Sequence, residues 1–424
     1  MDALERRERA RQSVALVGVD AGKFHHAMVA RDATGRDSKP LLFTTNREGF
    51  EAALHLIRLA SNDATPASVL AGIEFAGVYG ATFAHFLDAL GYPVVSVLGA
   101  TTKAWGQAVH GSRLKTDAKD ATTIVDLVSH GRYTGYPFLK PAYAQLRFLS
   151  AGMRRLTLLR AGTINRLRSV LQSVWPEYET VFASFTTKKT PLRFLREYAG
   201  PQAFLAAPRR EVLHTLRTIS VRQHGVETYS ALEQAARTTV AVRGTEQALA
   251  TEIRQLVDLA ETLGAQATAL EHEMAVAMRE LPEATALCTI PYVQTRMAAT
   301  FLGAVGDVHA YESVNQVMRL AGLNLITRES GILKGTHRIS KRGRPEIRHH
   351  AYLAALGLVK RDGHFRRQFD RLVQRNGGKK KKALVAISRE VLRLMFAVAR
   401  DRRAFTPDMP TPPEGRTPDD YPRP

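Results

Sequence analysis

The sequence predicts an α/β domain at its amino-terminal end, followed by a long helical or coiled-coil region and a mainly α-helical domain. Residues 14–135 alternate short apolar, strand-like segments with helical segments, a pattern typical of a sheet covered by helices. Residues 143–280 place Leu, Ala, Glu and Arg at helical spacing, which indicates long helices and a coiled coil. Residues 284–402 again favour helices, and the Pro-rich tail at 403–424 is expected to be disordered.

The amino-terminal domain begins with three predicted strands, VALVGVD, HHAMVARD and PLLFTT, between residues 14 and 45. The later elements alternate between helix and strand: a helix capped by Asn46, a strand at 68–77, a helix at 79–90, a strand at 92–99 and a helix from Thr116 to about His130. Three strands followed by an α-β-α-β-α order predict a mixed sheet of the ribonuclease H-like kind.

The composition predicts a polyanionic partner. The 424 residues contain 60 Lys and Arg against 40 Asp and Glu, a net charge of +20, which favours nucleic acid over a membrane. The charged start MDALERRERARQS lacks the apolar core of a signal peptide, and no apolar run is long enough to cross a membrane. We therefore expect a cytoplasmic protein. The single Cys288 excludes an internal disulfide and a cysteine-based zinc cluster.

Four carboxylates follow predicted elements of the amino-terminal domain. Asp20 ends the first strand and Glu74 ends the fourth, while Asp117 and Asp120 begin the last helix, on one helical face. Taken singly, Asp117 also suits a helix cap and Asp120 a solvated surface charge. Asp20 and Glu74 are harder to explain in this way, because an unpaired carboxylate beside a core is costly. Together the four predict a Mg²⁺ site for phosphodiester chemistry.

A second candidate site lies in the basic, glycine-rich stretch at 321–356. Ser330 stands there between Glu329 and Gly331 as a loop serine, which could satisfy local backbone groups or act as a nucleophile on phosphorus. Ser340 is expected to form a turn or cap before a helix beginning near Pro345. The cations that we predict to contact nucleic acid are Lys115, Arg328, Lys334, Arg338, Lys341, Arg342, Arg348, Lys379, Lys380, Lys381 and Lys382.

Two further patterns leave alternatives open. Residues 287–323 suggest two helices joined by a short turn, with Gly303 and Gly306 loosening the connection. The lysines at 379–382 begin an amphipathic helix, where a solvated charge run and a phosphate-binding site fit equally well. The long helices at 225–280 resemble one arm of an antiparallel pair or coiled coil, which suits a dimerisation or spacer role.

Several of these segments stand in the order of a known family: GVDAGKFHHAMV, IEFAGVYG, GYPVVSVLGATTKAWGQAVHGSRLKTDAKDA, TIPYVQTRMAATFLGAVGD, RLAGLNLITRESG and RISKRGRPEIR. The chain thereby resembles the DEDD-type transposases of bacterial insertion sequences, a family that includes bridge-RNA-guided serine recombinases. The resemblance covers about 14–175 and 284–402. Departures are Phe75 in place of a smaller residue, IPYVQ in place of the usual IPGIG, and a longer region at 176–280.

The resemblance implies a mechanism and partners. Asp20, Glu74, Asp117 and Asp120 would bind Mg²⁺ in a RuvC-like domain. The hydroxyl of Ser330 would attack DNA and form a covalent 5′-phosphoserine link. An element-encoded guide RNA would pair with donor and target DNA, so that the RNA reads the sequence and the protein reads shape and backbone. Because a long helical region separates the acids from Ser330, we expect a composite site in a homodimer that assembles to a tetramer.

Two other functions remain open at this point. The first is a Mg²⁺-dependent nuclease resembling a Holliday-junction resolvase, in which water attacks the phosphate and Ser330 is structural. The second is a non-catalytic RNA- and DNA-binding protein with a degenerate metal site. The presence of all four acids argues against the second.

Overall fold

The computed structural model describes residues 1–75, 79–110, 116–136, 138–183, 185, 188–242, 244, 246–330, 333–361 and 363–406, and at 110, 327–330 and 333–337 it describes the backbone alone. The chain forms two compact units, Met1–Phe138 and Leu139–Pro424. No helix in this part of the chain is long and apolar enough to cross a membrane. Lys115 and most of the predicted tail, from residue 407 onward, lie outside the described residues.

The first unit is built on a six-stranded mixed sheet with the strand order β3-β2-β1-β4-β5-β6. The strands β1, β4 and β5 are parallel, whereas β2, β3 and β6 run antiparallel to their neighbours. The elements of this unit are α1 Ala3–Gln12, β1 Ala15–Ala21, β2 His25–Arg31, β3 Leu41–Thr44, α2 Arg47–Ser61, β4 Val69–Phe75, α3 Ala81–Ala89, β5 Val94–Val97, α4 Gly99–His110, α5 Asp117–Ser129 and β6 Thr134–Gly135.

Helix α5 lies directly across the middle of this sheet. A methyl group built on Gly18 of β1 would lie 2.4 Å from the Ala121 carbonyl oxygen, and one on Gly72 of β4 would lie 2.3 Å from a Val128 methyl. Gly18 and Gly72 are register partners, so at this position neither central strand has a side chain between its backbone and the helix. Sequence positions 18 and 72 thus let α5 approach the sheet closely.

The predicted mixed α/β sheet is confirmed, and so is the cap on α2, where the Gly49 N–H donates to Asn46 Oδ1 at 2.8 Å. Three elements of this unit were missed: α1, α4 and β6. Helix α1 has no apolar stripe in its sequence, and it buries only Ala10. A reciprocal capping box between Asp2 and Glu5 stabilises its first turn. Strand β6 has only two residues.

Two long helices organise the first part of the second unit. Helix α6, Pro141–Val174, packs against α12, Glu246–Met278. They run antiparallel, which is one of the two arrangements that the sequence left open: Arg160 Nε donates to the Ala260 carbonyl at 3.3 Å, and Arg166 pairs with Glu252 at 2.7 Å. Between them in sequence are α7 Tyr178–Val181, α8 Lys189–Glu197, α9 Pro201–Ala206, α10 Arg209–Ile219 and α11 Val226–Arg237, which share an aromatic core with α6 and α12.

The remaining elements surround a second core that includes Leu146 and Met153 of α6 and Met274 of α12. They are α13 Pro282–Cys288, α14 Thr295–Val305, α15 Val314–Ala321, β7 Leu325–Ser330, β8 Leu333–Ile339, α16 Pro345–Arg361, α17 Gly363–Arg375 and α18 Lys380–Asp401. The predicted helix at Pro345 is confirmed. The finer division of this unit at residues 280 and 284 stays a prediction.

Gly303 has a different role from the one predicted. It lies inside α14 rather than in a loose turn, and a methyl group there would lie 2.5 Å from the Arg147 backbone nitrogen of α6. Arg147 Nε also donates to the Gly303 carbonyl at 2.8 Å. The glycine therefore brings two helix backbones together, and only Gly306, with φ +78°, ends the helix as expected.

Candidate active site and nucleic-acid interface

Asp20 and Glu74 are register partners in the parallel pair β1–β4, near the carboxyl ends of both strands. Residues paired directly across a ladder project from the same face of a sheet, and both side chains are half-buried. The sequence placed each acid at a strand end but could not give their register. The structure brings these two acids together at the carboxyl-terminal ends of the two central strands.

The first turn of α5 reaches the same strand ends. Further along this helix, Asp126 pairs with Arg31 at 2.8 Å, and Arg31 is the register partner of Leu16 near the start of β1. Ala121 already lies at the level of Gly18. The helix therefore runs against the direction of β1, which places Asp117 and Asp120 at the end of the strand where Asp20 lies.

Capping does not account for Asp117. The N-cap of α5 is Thr116, whose side-chain oxygen accepts the Lys119 N–H at 3.4 Å. Asp117 is the first helical residue and is exposed, while Asp120 is half-buried one turn later. Both aspartates complement the positive end of the helix dipole, so a helix-stabilising role and a metal-binding role are compatible.

The four acids would offer carboxylate oxygens, which are suitable ligands for a hard cation. Glu74 directs its carboxylate over the start of α4: a methyl group on Gly99 would lie 2.5 Å from Glu74 Oε1. Gly99 thus leaves room for a carboxylate that a larger residue would displace. Carboxylate oxygens are the donors that Mg²⁺ prefers. Among the residues that the structure describes, however, no group of three or more His, Cys, Asp or Glu is close enough to hold a metal ion.

Ser330 is the last residue of β7, not a loop residue as the sequence suggested. Strands β7 and β8 form an antiparallel hairpin in which Ser330 pairs with Leu333, and the register shifts between Arg328 and Ser330. A register shift of this kind bends a strand locally. The side chains of Arg328, Ser330 and Lys334 lie outside the described part, so their predicted roles stay predictions.

A basic groove lies between the base of this hairpin and helices α17 and α18, with a volume of about 1140 Å³. Its described lining contains cationic side chains and no carboxylate. These cations are Arg338, Lys341, Arg375, Lys379, Lys381, Lys382 and Arg389. Five of them were predicted from the sequence. Arg375 and Arg389 were missed, because only the packing of α17 against α18 brings them to the same groove.

The other predicted cations differ in their surroundings. Lys380 is exposed at the first residue of α18, and Arg342 is exposed beside Ser340, whose hydroxyl oxygen accepts the Arg342 N–H at 3.4 Å. That contact confirms the local turn predicted at Ser340. Arg348 donates to the Ala321 carbonyl at 2.7 Å, so part of its function is structural. Arg344, which was not among the cations predicted to contact nucleic acid, donates to the Ala304 carbonyl, and burial lowers the pKa of its guanidinium.

Two family models match the chain. A model of DEDD transposases of the IS110 type matches residues 17–176, the part that contains Asp20, Glu74 and α5. A second model, described as "Transposase IS116/IS110/IS902 family", matches residues 284–370, which contain the β7–β8 hairpin. The chain belongs to the IS110/IS116 transposase family. The predicted membership of the DEDD-type transposases is thereby confirmed.

Two relatives of this transposase are proteins of bacterial insertion elements. It is 29% identical to the 44.8 kDa protein of insertion element IS116 from Streptomyces clavuligerus, over 93% of this chain and 96% of the relative. It is 26% identical to the 42 kDa protein of insertion element IS900 from Mycobacterium paratuberculosis, over 92% and 96%. A shorter match, 28% identical over 32% of this chain and 44% of the relative, is to the pilin gene-inverting protein of Moraxella bovis.

Proposed function

We propose that this IS110/IS116-family transposase excises and inserts its own element by DNA phosphoryl transfer, with its acids in a ribonuclease H-like, RuvC-like domain. The observation that carries this proposal is the register pairing of Asp20 with Glu74 at the strand ends that the first turn of α5 also reaches. A strand order of β3-β2-β1-β4-β5 with α5 across its face supports the fold assignment.

Asp20, Glu74, Asp117 and Asp120 would hold Mg²⁺, which would stabilise the attacking and leaving oxygens of the scissile phosphate. Ser330 would then be the nucleophile. Its Oγ forms a bond to phosphorus, the bond from phosphorus to the 3′ oxygen breaks, and the serine proton ends on that 3′ oxygen. The product is a 5′-phosphoserine link and a free 3′ hydroxyl.

The basic groove would hold the phosphate backbone beside the hairpin that carries Ser330. Its cations lie without a carboxylate among the described lining residues, which suits a polyanion. An element-encoded guide RNA would supply the sequence specificity through base pairing with donor and target DNA. The net charge of +20 is consistent with binding both nucleic acids.

Covalent trapping of DNA on the protein tests the nucleophile. DNA spanning an element end, labelled on the 3′ side of the cut, is incubated with the transposase, Mg²⁺ and RNA transcribed from the element. We expect an adduct that survives denaturation, is lost in Ser330→Ala and is kept in Ser340→Ala. Cleavage by Ser330→Ala without an adduct would instead support the resolvase-like nuclease. Unaltered recombination by Asp117→Ala would support a non-catalytic role for the metal site.

Mixing two inactive chains tests the oligomer. The acids belong to one unit and Ser330 to the other, so a homodimer or tetramer could build one site from two protomers. Asp20→Ala chains mixed with Ser330→Ala chains should then recover part of the activity. No recovery at any mixing ratio would indicate that each chain completes its own site.

A further inference from the structure

A second cavity, of about 520 Å³, adjoins the basic groove in the second unit. Helices α6, α14, α16 and α18 supply most of its lining, and we call it the α6–α16 pocket. Ile339, Lys341, Lys381 and Val385 line both cavities, so a strand lying in the basic groove passes the mouth of this pocket. Neither the family match nor the four acids assign it a role.

The pocket combines an apolar wall with a cationic rim. Met153, Leu158, Leu323 and the ring of Tyr352 contribute to the wall. Lys341 and Lys381 stand at the rim and are exposed. Glu346 is a carboxylate of the lining, but it is paired with Arg154 and does not repel an anion as a free charge would. A ligand with a flat apolar part and a negative group fits this combination.

Two residues of the lining each have a buried polar atom without a hydrogen-bond partner among the described residues: Ser150 Oγ and Arg296 Nε. Ser150 is 9% exposed. The terminal nitrogen of the Arg296 guanidinium donates to Thr157 Oγ1 at 2.5 Å. Buried polar atoms are normally paired. Both atoms are covered in the protein alone, so a ligand with its own polar edge would pair them once the two side chains turn toward the cavity. Nε–H is a donor, and that edge must therefore include an acceptor.

We propose that the α6–α16 pocket binds one unpaired nucleotide. Its base lies against the apolar wall with its polar edge on Ser150 and Arg296, and its phosphate lies on Lys341 and Lys381. A simple anion would leave the apolar wall uncovered, and an apolar ligand would leave both polar atoms unpaired. An extruded base meets both needs, as in enzymes that take a base out of the stack. The inference rests on the proposed function in one respect, that the chain binds nucleic acid.

Leu158 and Leu159 provide a matched pair of variants. They are adjacent on α6 and are 60% and 59% exposed, but only Leu158 lines the pocket. Leu158→Trp places an indole at the mouth of the pocket, whereas Leu159→Trp places it on the neighbouring surface. Since both sites are exposed, neither change is expected to unfold the protein. Ser150→Ala removes one of the two polar contacts without adding bulk.

The probes are three duplexes of one sequence: fully paired, with one unpaired nucleotide, and with an abasic unpaired site at the same position. Each is made in DNA and in RNA, and dissociation constants come from fluorescence anisotropy. We expect the wild-type protein to bind the base-bearing bulge about tenfold more tightly than the abasic bulge, the size of effect typical of stacking one base. Leu158→Trp should reduce that ratio to about one, Ser150→Ala should reduce it by about fivefold, and Leu159→Trp should keep it.

The outcomes separate the pocket from the proposed function. The wild-type protein could bind the base-bearing and abasic bulges equally while binding the paired duplex tightly. That result would refute nucleotide binding in the α6–α16 pocket and would leave the proposed function unaffected. Loss of the ratio in Leu159→Trp would also refute nucleotide binding there, since the effect would then not depend on the pocket. Failure to bind any duplex overturns both. A ratio seen only in the DNA series or only in the RNA series identifies which nucleic acid supplies the nucleotide.

Discussion

The aromatic ring of Tyr292 lies directly against Gly357 of α16. A methyl group built on Gly357 would lie 2.5 Å from Cδ1 and Cγ of that ring. Tyr292 itself adopts a left-handed backbone conformation, with φ +67°, at the position where IPYVQ departs from the glycine-containing IPGIG of the family. The left-handed conformation gives the physical reason for a glycine there. In this chain the tyrosine ring compensates by covering Gly357.

A double-mutant cycle tests this pairing. We expect Gly357→Ala to lower the free energy of unfolding by about 2 kcal/mol, because the added methyl overpacks the ring. In a Tyr292→Gly background the same change should lower it by much less, since the ring is gone. Urea denaturation of the four proteins measures the coupling. Equal effects of Gly357→Ala in both backgrounds would show that the ring and the glycine do not interact.

The close approach of α6 and α14 gives a second stability prediction. Gly303→Ala would place a methyl 2.5 Å from a backbone nitrogen of α6, and backbone atoms cannot rotate away. We expect a loss of about 3 kcal/mol or more in the free energy of unfolding. Gly162→Ala in α6 is the control: nothing lies within 4 Å of its added methyl, and the change should stabilise by up to about 1 kcal/mol. Similar results for both variants would contradict the packing argument.

The sequence predicted those elements whose formation depends on local apolar patterns. Strands β1 and β4 are continuous apolar runs, and α5 has a Thr116 cap ahead of an apolar stripe. Helix α1 escaped prediction because its sequence is charged on all sides. The β7–β8 hairpin escaped because its strands, LITRES and LKGTHRI, contain cations and one glycine and show no apolar alternation.

The candidate site was predictable to the same extent. The four acids could be recognised one by one, because each stands at the end or start of an element. The register of Asp20 with Glu74 depends on contacts between segments distant in sequence. So does the presence of Arg375 and Arg389 in the lining of one groove. No local pattern contains that information. Family resemblance singled out Ser330 as the candidate nucleophile, which stays a prediction, whereas the residues around it alone left its role open.

Helix α4 offers a test of the Glu74 position that leaves all four acids in place. A methyl on Gly99 would lie 2.5 Å from Glu74 Oε1, whereas one on Gly106 of the same helix would lie 3.9 Å from its nearest neighbour, Thr123 Oγ1. We expect Gly99→Ala to slow DNA cleavage at least tenfold by displacing the carboxylate, and Gly106→Ala to leave it unchanged. Glu74→Gln should slow it at least about a hundredfold.

Cleavage rates measured over a series of Mg²⁺ concentrations distinguish a metal-binding effect from a folding defect. If Glu74 binds Mg²⁺, Gly99→Ala should require more Mg²⁺ for half-maximal rate and should recover part of its rate at high concentration. Thermal melting of the same variants checks that they are folded. A Gly99→Ala protein with normal rate and normal Mg²⁺ dependence would count against a catalytic role for Glu74.

The basic groove predicts how binding depends on salt. A cation that neutralises a phosphate of duplex DNA releases condensed counterions, and each such cation contributes about 0.9 to the slope of log K against log salt. Lys381→Gln and Lys382→Gln should each reduce the slope by about 1 and weaken binding to every sequence alike. Arg366→Gln is the control, because Arg366 is exposed on α17, is paired with Asp370 at 2.9 Å, and is not part of the groove lining. The slopes are measured by anisotropy titration between about 50 and 200 mM salt. Equal slopes for all three variants would contradict the assignment of the groove to nucleic-acid binding.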